Sequence, residues 1–149
     1  METKKIEDAM EELAKLICYE PKDLSRLAEA MYVKKMDNGN TSKKEYSNGP
    51  LGILGDAVLR LVLAERLCTN RDSTKDITDL LKDIENNDHL HSITMDLGIQ
   101  RFSYNDEFFF SEAPGHNKLP NPKHDIYIEA IIGAMYLDKG IECCRRWIE

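Results

Sequence analysis

The sequence predicts an all-α protein folded as a single domain. Apolar residues recur at helical spacing along most of the chain, and proline, glycine and polar clusters interrupt that pattern where helices begin and end. The length of 149 residues, with 42% hydrophobic residues, suits one domain with a substantial core. We find no internal repeat and no low-complexity tract.

Three helices are predicted in the first half of the chain, over residues 4–18, 24–36 and 51–68. Glu20-Pro21 separates the first two, because proline disfavours helix in the residue before it. The polar, glycine-rich stretch 37–49 is predicted as a surface loop. Pro50 then opens the third helix, whose apolar residues cover more than one face, and this distribution is typical of a central helix.

Four helices are predicted in the second half, over residues 77–84, 91–97, 122–140 and 141–147. Gly98 ends the second of these, and Asn121-Pro122 supplies a cap and a first helical residue for the third. Residues 99–121 are predicted as a loop, either irregular throughout or with a short extended piece. Its Phe108–Phe110 run is interpreted either as packed against the helices or as an RNA-stacking or dimer surface.

Composition narrows the classes of function. Twenty basic and twenty-seven acidic residues give a formal charge of −7, which argues against a strong general nucleic-acid binder. The charged N-terminus has no secretory signal, and the longest apolar run is too short for a bilayer, so we predict a cytoplasmic protein without membrane contact. The four cysteines lack a metal-binding spacing, and Cys18 and Cys68 fall on apolar positions expected in the core.

Two acids stand where the hydrophobic pattern does not require them. Asp56 lies in the most apolar helix, and Glu129 lies in the apolar stretch 128–134. A buried carboxylate is costly unless it is paired, hydrogen-bonded or bound to a metal. One interpretation is therefore that each acid caps a loop or pairs with a lysine. The other is that acids from two helices converge on a divalent cation.

Three segments together resemble the endonuclease domain of the ribonuclease III family. Residues 51–59 read LGILGDAVL and resemble its signature helix, E-R-L-E-F-L-G-D-A/S-V/L-L. Residues 128–138 read IEAIIGAMYLD and resemble its second element, D-x-x-E-A-L-I-G-A-x-Y/F-L-D. Residues 19–27 read YEPKDLSRL and resemble its opening helix pair. The resemblance covers nearly the whole chain, in the family's order and at its separations.

This resemblance implies an all-helical homodimer that cleaves double-stranded RNA and has no small-molecule substrate. In the family, a Glu and an Asp from the signature helix and an Asp and a Glu from the second element hold Mg²⁺, or alternatively Mn²⁺. The ion activates water for attack on a phosphodiester. An aromatic residue of the signature also fills a cavity in the partner, and that position is Ile53 here.

Only half of the family's acids are present. Asp56 and Glu129 match the signature Asp and the second-element Glu, and are predicted as catalytic and metal-binding residues. The other two positions are Gly52 and Ile126, which have no ligating group. Asp125 is a substitute metal ligand, but it points about 100° away from position 126 and is alternatively a favourable acid in a helix's first turn.

We therefore predict that residues 1–149 form one ribonuclease III-like domain, without the double-stranded RNA-binding domain that many relatives append. The predicted function is RNA processing, with hydrolysis weak or lost because two of the four acids are missing. The alternative is a non-catalytic dimeric module that binds RNA or protein and has kept only the fold.

Overall fold

The computed structural model describes residues 3–36, 45–70, 73–85, 88–106 and 127–148. Within these ranges the chain is mainly helical, and this confirms the predicted class. The helices, in chain order, are α1 (Thr3–Leu16), α2 (Leu24–Met31), α3 (Gly49–Thr69), α4 (Thr74–Glu85), α5 (Asp88–Leu97), α6 (Ile128–Lys139) and α7 (Ile141–Ile148). A 3₁₀ turn covers Ile99–Phe102, and two short strands, β1 (Lys35–Met36) and β2 (Glu45–Tyr46), pair antiparallel.

Helix α6 is the centre of the core. It packs against α2, α3 and α7, and each residue from Ile128 to Met135 except Glu129 is buried. Helix α3 has the most extensive contact with it, as the apolar character of both helices predicts. No helix in the described ranges is both long enough and apolar enough to cross a membrane.

Local signals explain where several helices begin and end. The Asp23 carboxylate caps α2 by accepting a hydrogen bond of 3.0 Å from the Ser25 amide. Pro50 lies in the first turn of α3, as predicted. Gly98 and Gly140 follow α5 and α6 with φ of 70° and 84°, a backbone region that favours glycine.

The predicted end of the second helix at Met36 is wrong, because the chain leaves the helix after Met31. Tyr32 instead forms a parallel bridge with Tyr104, so the backbone on both sides finds partners from a distant segment. The Val33 amide donates to the Tyr104 carbonyl at 2.8 Å, and the Tyr104 amide donates to the Met31 carbonyl at 3.0 Å. Beyond this bridge, β1 and β2 occupy part of the predicted helix and loop.

Three further predictions need correction. The helix predicted from Pro122 begins at Ile128, where the buried Tyr127 precedes it and its carbonyl accepts the Ile131 amide at 2.8 Å. The predicted loop after Gly98 begins instead with the 3₁₀ turn, which buries two apolar side chains. Cys18 and Cys68 are exposed, not in the core, because Cys18 lies in a left-handed turn (φ 58°) just after α1 and Cys68 lies in the last turn of α3. The Phe108–Phe110 run lies outside the described residues.

The C-terminal end of α6 is fastened to the segment that joins α1 and α2. The Asp138 carboxylate accepts hydrogen bonds from the Tyr19 hydroxyl and from the Lys22 amide, the latter at 2.9 Å. The Lys139 ammonium donates to the Glu20 carbonyl at 2.7 Å. The pKa of the Tyr19 phenol is raised above its ordinary value, chiefly by burial and secondly by the hydrogen bond to Asp138.

Removal of the Tyr19 hydroxyl is therefore expected to destabilise the fold. Tyr19→Phe keeps the buried ring but deprives Asp138 of one donor, at a cost of about 1–2 kcal/mol in the free energy of unfolding. Tyr136→Phe is the matched control, because Tyr136 is an exposed tyrosine on α6 itself. Urea titration monitored by circular dichroism measures both variants; equal midpoints would contradict a stabilising role for the Tyr19 hydrogen bond.

Candidate active site

Two glycines allow α3 and α6 to meet backbone against backbone. A methyl group on Gly55 would overlap with the Glu129 carbonyl and lie 3.0 Å from the Gly133 nitrogen. A methyl group on Gly133 would likewise overlap with the Leu51 carbonyl. No residue other than glycine fits either position without a shift of the backbone. We refer to this contact between Gly55 and Gly133 as the glycine junction.

The glycine junction brings together the helix turns that carry the two predicted catalytic acids. Asp56 directly follows Gly55 on α3, and Glu129 provides the backbone carbonyl that Gly55 contacts on α6. Both acidic residues are half-buried. The two acids that the hydrophobic pattern singled out thus lie on helix turns that are in contact at the glycine junction. Glu129 also lies in the first turn of α6, where an acid is favourable for the helix dipole, so its position has a structural reason as well.

The position of the missing signature glutamate is open. Gly52 lies one turn before Asp56 on α3, and a Cβ atom there would meet nothing within 4 Å. Position 52 therefore has no side chain, although the packing around it has room for one. Asp125 and Ile126, the remaining positions of the predicted acidic set, lie outside the described residues.

The described part of the chain contains two of the acids predicted to bind a metal, Asp56 and Glu129. No group of three or more His, Cys, Asp or Glu side chains with a metal-binding arrangement occurs in the described ranges. Magnesium prefers six oxygen ligands and dehydrates reluctantly, so two carboxylates leave most of its coordination to water and substrate. Two carboxylates, together with water and substrate phosphate, are thus within the range of ligand sets that hold this ion.

Arg60, which the sequence analysis did not single out, lies on the same helix as Asp56, one turn further on. Gly52, Asp56 and Arg60 follow one another at four-residue intervals, so they lie on neighbouring turns of one face of the helix. The Arg60 side chain is half-buried.

A second face of α3 is apolar and exposed. Ile53 is 76% exposed and Leu61 is 56% exposed, although both are large aliphatic side chains on the most apolar helix after α6. Ala57, between them at four-residue spacing, is also exposed. This stripe of Ile53, Ala57 and Leu61 lies next to the stripe that carries Asp56.

Comparison with known proteins agrees with the architecture. The chain matches the ribonuclease III domain family over residues 50–140, from the start of α3 to the end of α6. The fold is similar to the crystal structure of the ribonuclease III nuclease domain from Campylobacter jejuni at 2.2 Å resolution, with a TM-score of 0.69, 30% identity and coverage of 93% of this chain and 92% of that one. A second structure, which concerns flexibility in the region of that domain involved in dimer formation, gives a TM-score of 0.68 at 27% identity, with the same coverage.

Curated sequences give the same result. Ribonuclease 3 of Zunongwangia profunda is 29% identical over 91% of this chain and 54% of its own length. Ribonuclease 3 of Campylobacter jejuni is 33% identical over 89% of this chain and 56% of its own length. The chain thus spans about half the length of these relatives. Since the family match extends over more than half of the chain and includes both candidate acids, the protein belongs to the ribonuclease III family.

Proposed function

We propose that the protein is a ribonuclease III-type RNA-processing protein that binds duplex RNA and hydrolyses it weakly or not at all. Gly52 carries this proposal, because it is the described position where the family's signature has a metal-binding glutamate and this chain has no side chain. The retained acids, Asp56 and Glu129, lie where the central helices meet. The scaffold of the site is therefore kept while half of its ligands are lost.

Asp56 and Glu129 would hold a divalent cation in this chain, with Asp125, which lies outside the described residues, as a substitute ligand. A bound cation would supply a nucleophilic water and stabilise charge on the phosphate. With fewer carboxylates than the family's four, fewer protein groups fix the position of the ion against the scissile phosphate. Reduced positioning lowers the rate steeply, because much of the catalytic advantage depends on geometry.

A cleavage assay on a long RNA duplex, with Mg²⁺ and then with Mn²⁺, tests this function. We expect binding of the duplex with little or no product in either metal. The double variant Asp56→Asn, Glu129→Gln is the control for residual activity. Robust cleavage by the wild type that persists in this variant would show that the site is elsewhere. Robust cleavage that the variant abolishes would show that two carboxylates suffice.

We also propose that the protein is a homodimer, joined through the stripe of Ile53, Ala57 and Leu61. Large aliphatic side chains exposed side by side on a helix are typical of an interaction surface. The related Campylobacter jejuni nuclease domain has a region involved in dimer formation, which supports the same assembly here. If the protein neither binds nor cleaves RNA, this dimer is the basis of the second candidate function, a non-catalytic interaction module.

A charge at Ile53 is expected to separate the subunits. Ile53→Glu places a carboxylate in the centre of the proposed interface, where its desolvation is costly. Light scattering at tens of micromolar should then show a dimer for the wild type and a monomer for the variant. Leu80→Glu is the matched control. Like Ile53, Leu80 is an exposed aliphatic side chain, but it lies on α4, away from the proposed interface. A monomeric wild type would contradict the proposal.

A further inference from the structure

Asn48 is a buried polar residue at the point where α3 begins. Its exposed fraction is 2%, and its side-chain amide donates a hydrogen bond of 2.9 Å to the Ala30 carbonyl in the last turn of α2. Asparagine at an N-cap position usually accepts a hydrogen bond from its own helix, but the Asn48 side chain does not cap α3. Pro50 has no amide hydrogen, so the first turn of α3 has one donor fewer to satisfy. The side chain of Asn48 thus joins two helices.

The main chain of Asn48 is attached to the turn of α3 that precedes Asp56. The Asn48 carbonyl accepts a hydrogen bond of 3.0 Å from the Gly52 amide, and Asp56 lies one turn beyond Gly52. The residue before it, Ser47, reinforces this attachment, because its hydroxyl donates to the Tyr32 carbonyl at 2.7 Å. Two consecutive side chains therefore fasten the start of α3 to the end of α2 and the residue that follows it.

The first two turns of α3 have few other buried anchors. Leu51 and Leu54, in these turns, are half-buried. The buried side chains of α3 all follow Asp56; they are Val58, Leu59 and Val62. At the glycine junction the two backbones touch without side-chain ridges that interlock, so this contact fixes the distance between α3 and α6 but resists rotation of α3 about its axis weakly. Asn48 is thus the buried side chain that holds α3 on the N-terminal side of Asp56.

We infer that Asn48 is a positioning residue, which holds the first turns of α3 in the rotation at which Asp56 and Glu129 bind one divalent cation. The inference rests on the proposed function and adds a residue that acts through the helix, without contact with the ion. A helix with its side chains has a radius of about 5–6 Å, so a rotation of about 20° would move the Asp56 carboxylate by about 2 Å. That distance is about the length of a bond between Mg²⁺ and oxygen, so the carboxylate would lose the ion.

Titration of the RNA-free protein with Mn²⁺, followed by the electron paramagnetic resonance signal of the free ion, tests this inference. The wild type is expected to bind one Mn²⁺ per subunit, and Asp56→Asn should abolish that binding. Asn48→Leu keeps the approximate size of the side chain but removes the donor to the Ala30 carbonyl. It should weaken Mn²⁺ binding by on the order of tenfold, because the apparent affinity falls with the fraction of molecules in the binding orientation.

Tyr19→Phe is the matched control for lost stability. It also removes one donor from a partly buried hydrogen bond, but at the C-terminal end of α6, so it should bind Mn²⁺ as the wild type does. Asn48→Ser, which keeps a hydroxyl donor of shorter reach, should have an intermediate affinity and gives a second measurement if Asn48→Leu does not fold. Circular dichroism shows which variants are folded.

Three results would overturn the inference. They are a folded Asn48 variant that binds Mn²⁺ as tightly as the wild type, an equal loss of affinity in Tyr19→Phe, and a wild type that does not bind Mn²⁺. The assays on duplex RNA decide the proposed function independently, because they measure binding and cleavage of RNA instead of binding of the ion.

Discussion

Gly55→Ala is expected to lower the free energy of unfolding by about 3 kcal/mol or more, the largest effect of any methyl-sized change that we predict. The added methyl group overlaps with the Glu129 carbonyl, which is backbone and has no rotamer by which to move aside. The helices must therefore separate at the glycine junction. For a protein of this size the loss corresponds to a fall of about 6–12 °C in Tm, measured by thermal denaturation.

Gly52→Ala is the control that distinguishes the cost of steric overlap from the change in helix propensity when alanine replaces glycine. Both glycines lie inside α3, but a Cβ atom at Gly52 has open space around it. Alanine there should stabilise the protein by up to about 1 kcal/mol, because it has a higher helix propensity than glycine. Gly133→Ala should resemble Gly55→Ala, since it meets the Leu51 carbonyl. A Tm for Gly55→Ala within experimental error of the wild type would refute the close backbone contact.

Restoring the missing acids is expected to produce Mg²⁺-dependent cleavage of duplex RNA. The variant Gly52→Glu, Ile126→Asp returns the family's four carboxylates to their positions in the motifs. Metal stabilisation of the transition state contributes several kcal/mol, so the rate should rise by about a hundredfold or more over the wild type. Glutamate at position 52 is compatible with the fold, because the space is open and no acid occupies the first turn of α3.

The matched control for this variant is Gly52→Gln, Ile126→Asn, which adds side chains of the same size without charge. It should remain inactive. Asp56→Asn, added to the active variant, should abolish cleavage, which ties the activity to the site on α3. Thermal melting is followed in parallel, so that loss of activity is distinguished from loss of fold. No cleavage by a folded four-acid variant would contradict our placement of the site.

The order of the helices was predictable from the sequence because helical periodicity and caps are local signals. Pro50 and Gly98 marked boundaries that the structure confirms. The start of α6 at Ile128 was not predicted from local signals. Asn121-Pro122, the predicted helix start, lies outside the described residues. The end of α2 at Met31 was not predictable locally, because it depends on pairing between Tyr32 and Tyr104, which are distant in sequence.

The residues of the candidate site remain a prediction from the sequence, whereas the geometry around them came from the structure. Asp56 and Glu129 stood out as acids on apolar helices, and the motifs identified them as a pair. The glycine junction that brings their helices together is a contact between two backbones. Hydrophobic periodicity reports on side chains, so it does not indicate such a contact. Likewise, nothing near Asp138 in the sequence indicates that Tyr19 is its partner across the fold.

The glycine junction has a consequence for the evolutionary history of such a protein. The helices that form the site are joined by main-chain atoms of Gly55 and Gly133, and no acidic side chain takes part in that contact. The architecture is therefore compatible with glycine at position 52. Selection on folding and selection on hydrolysis act on different residues, so a lineage can lose the second property by drift while it inherits the first unchanged.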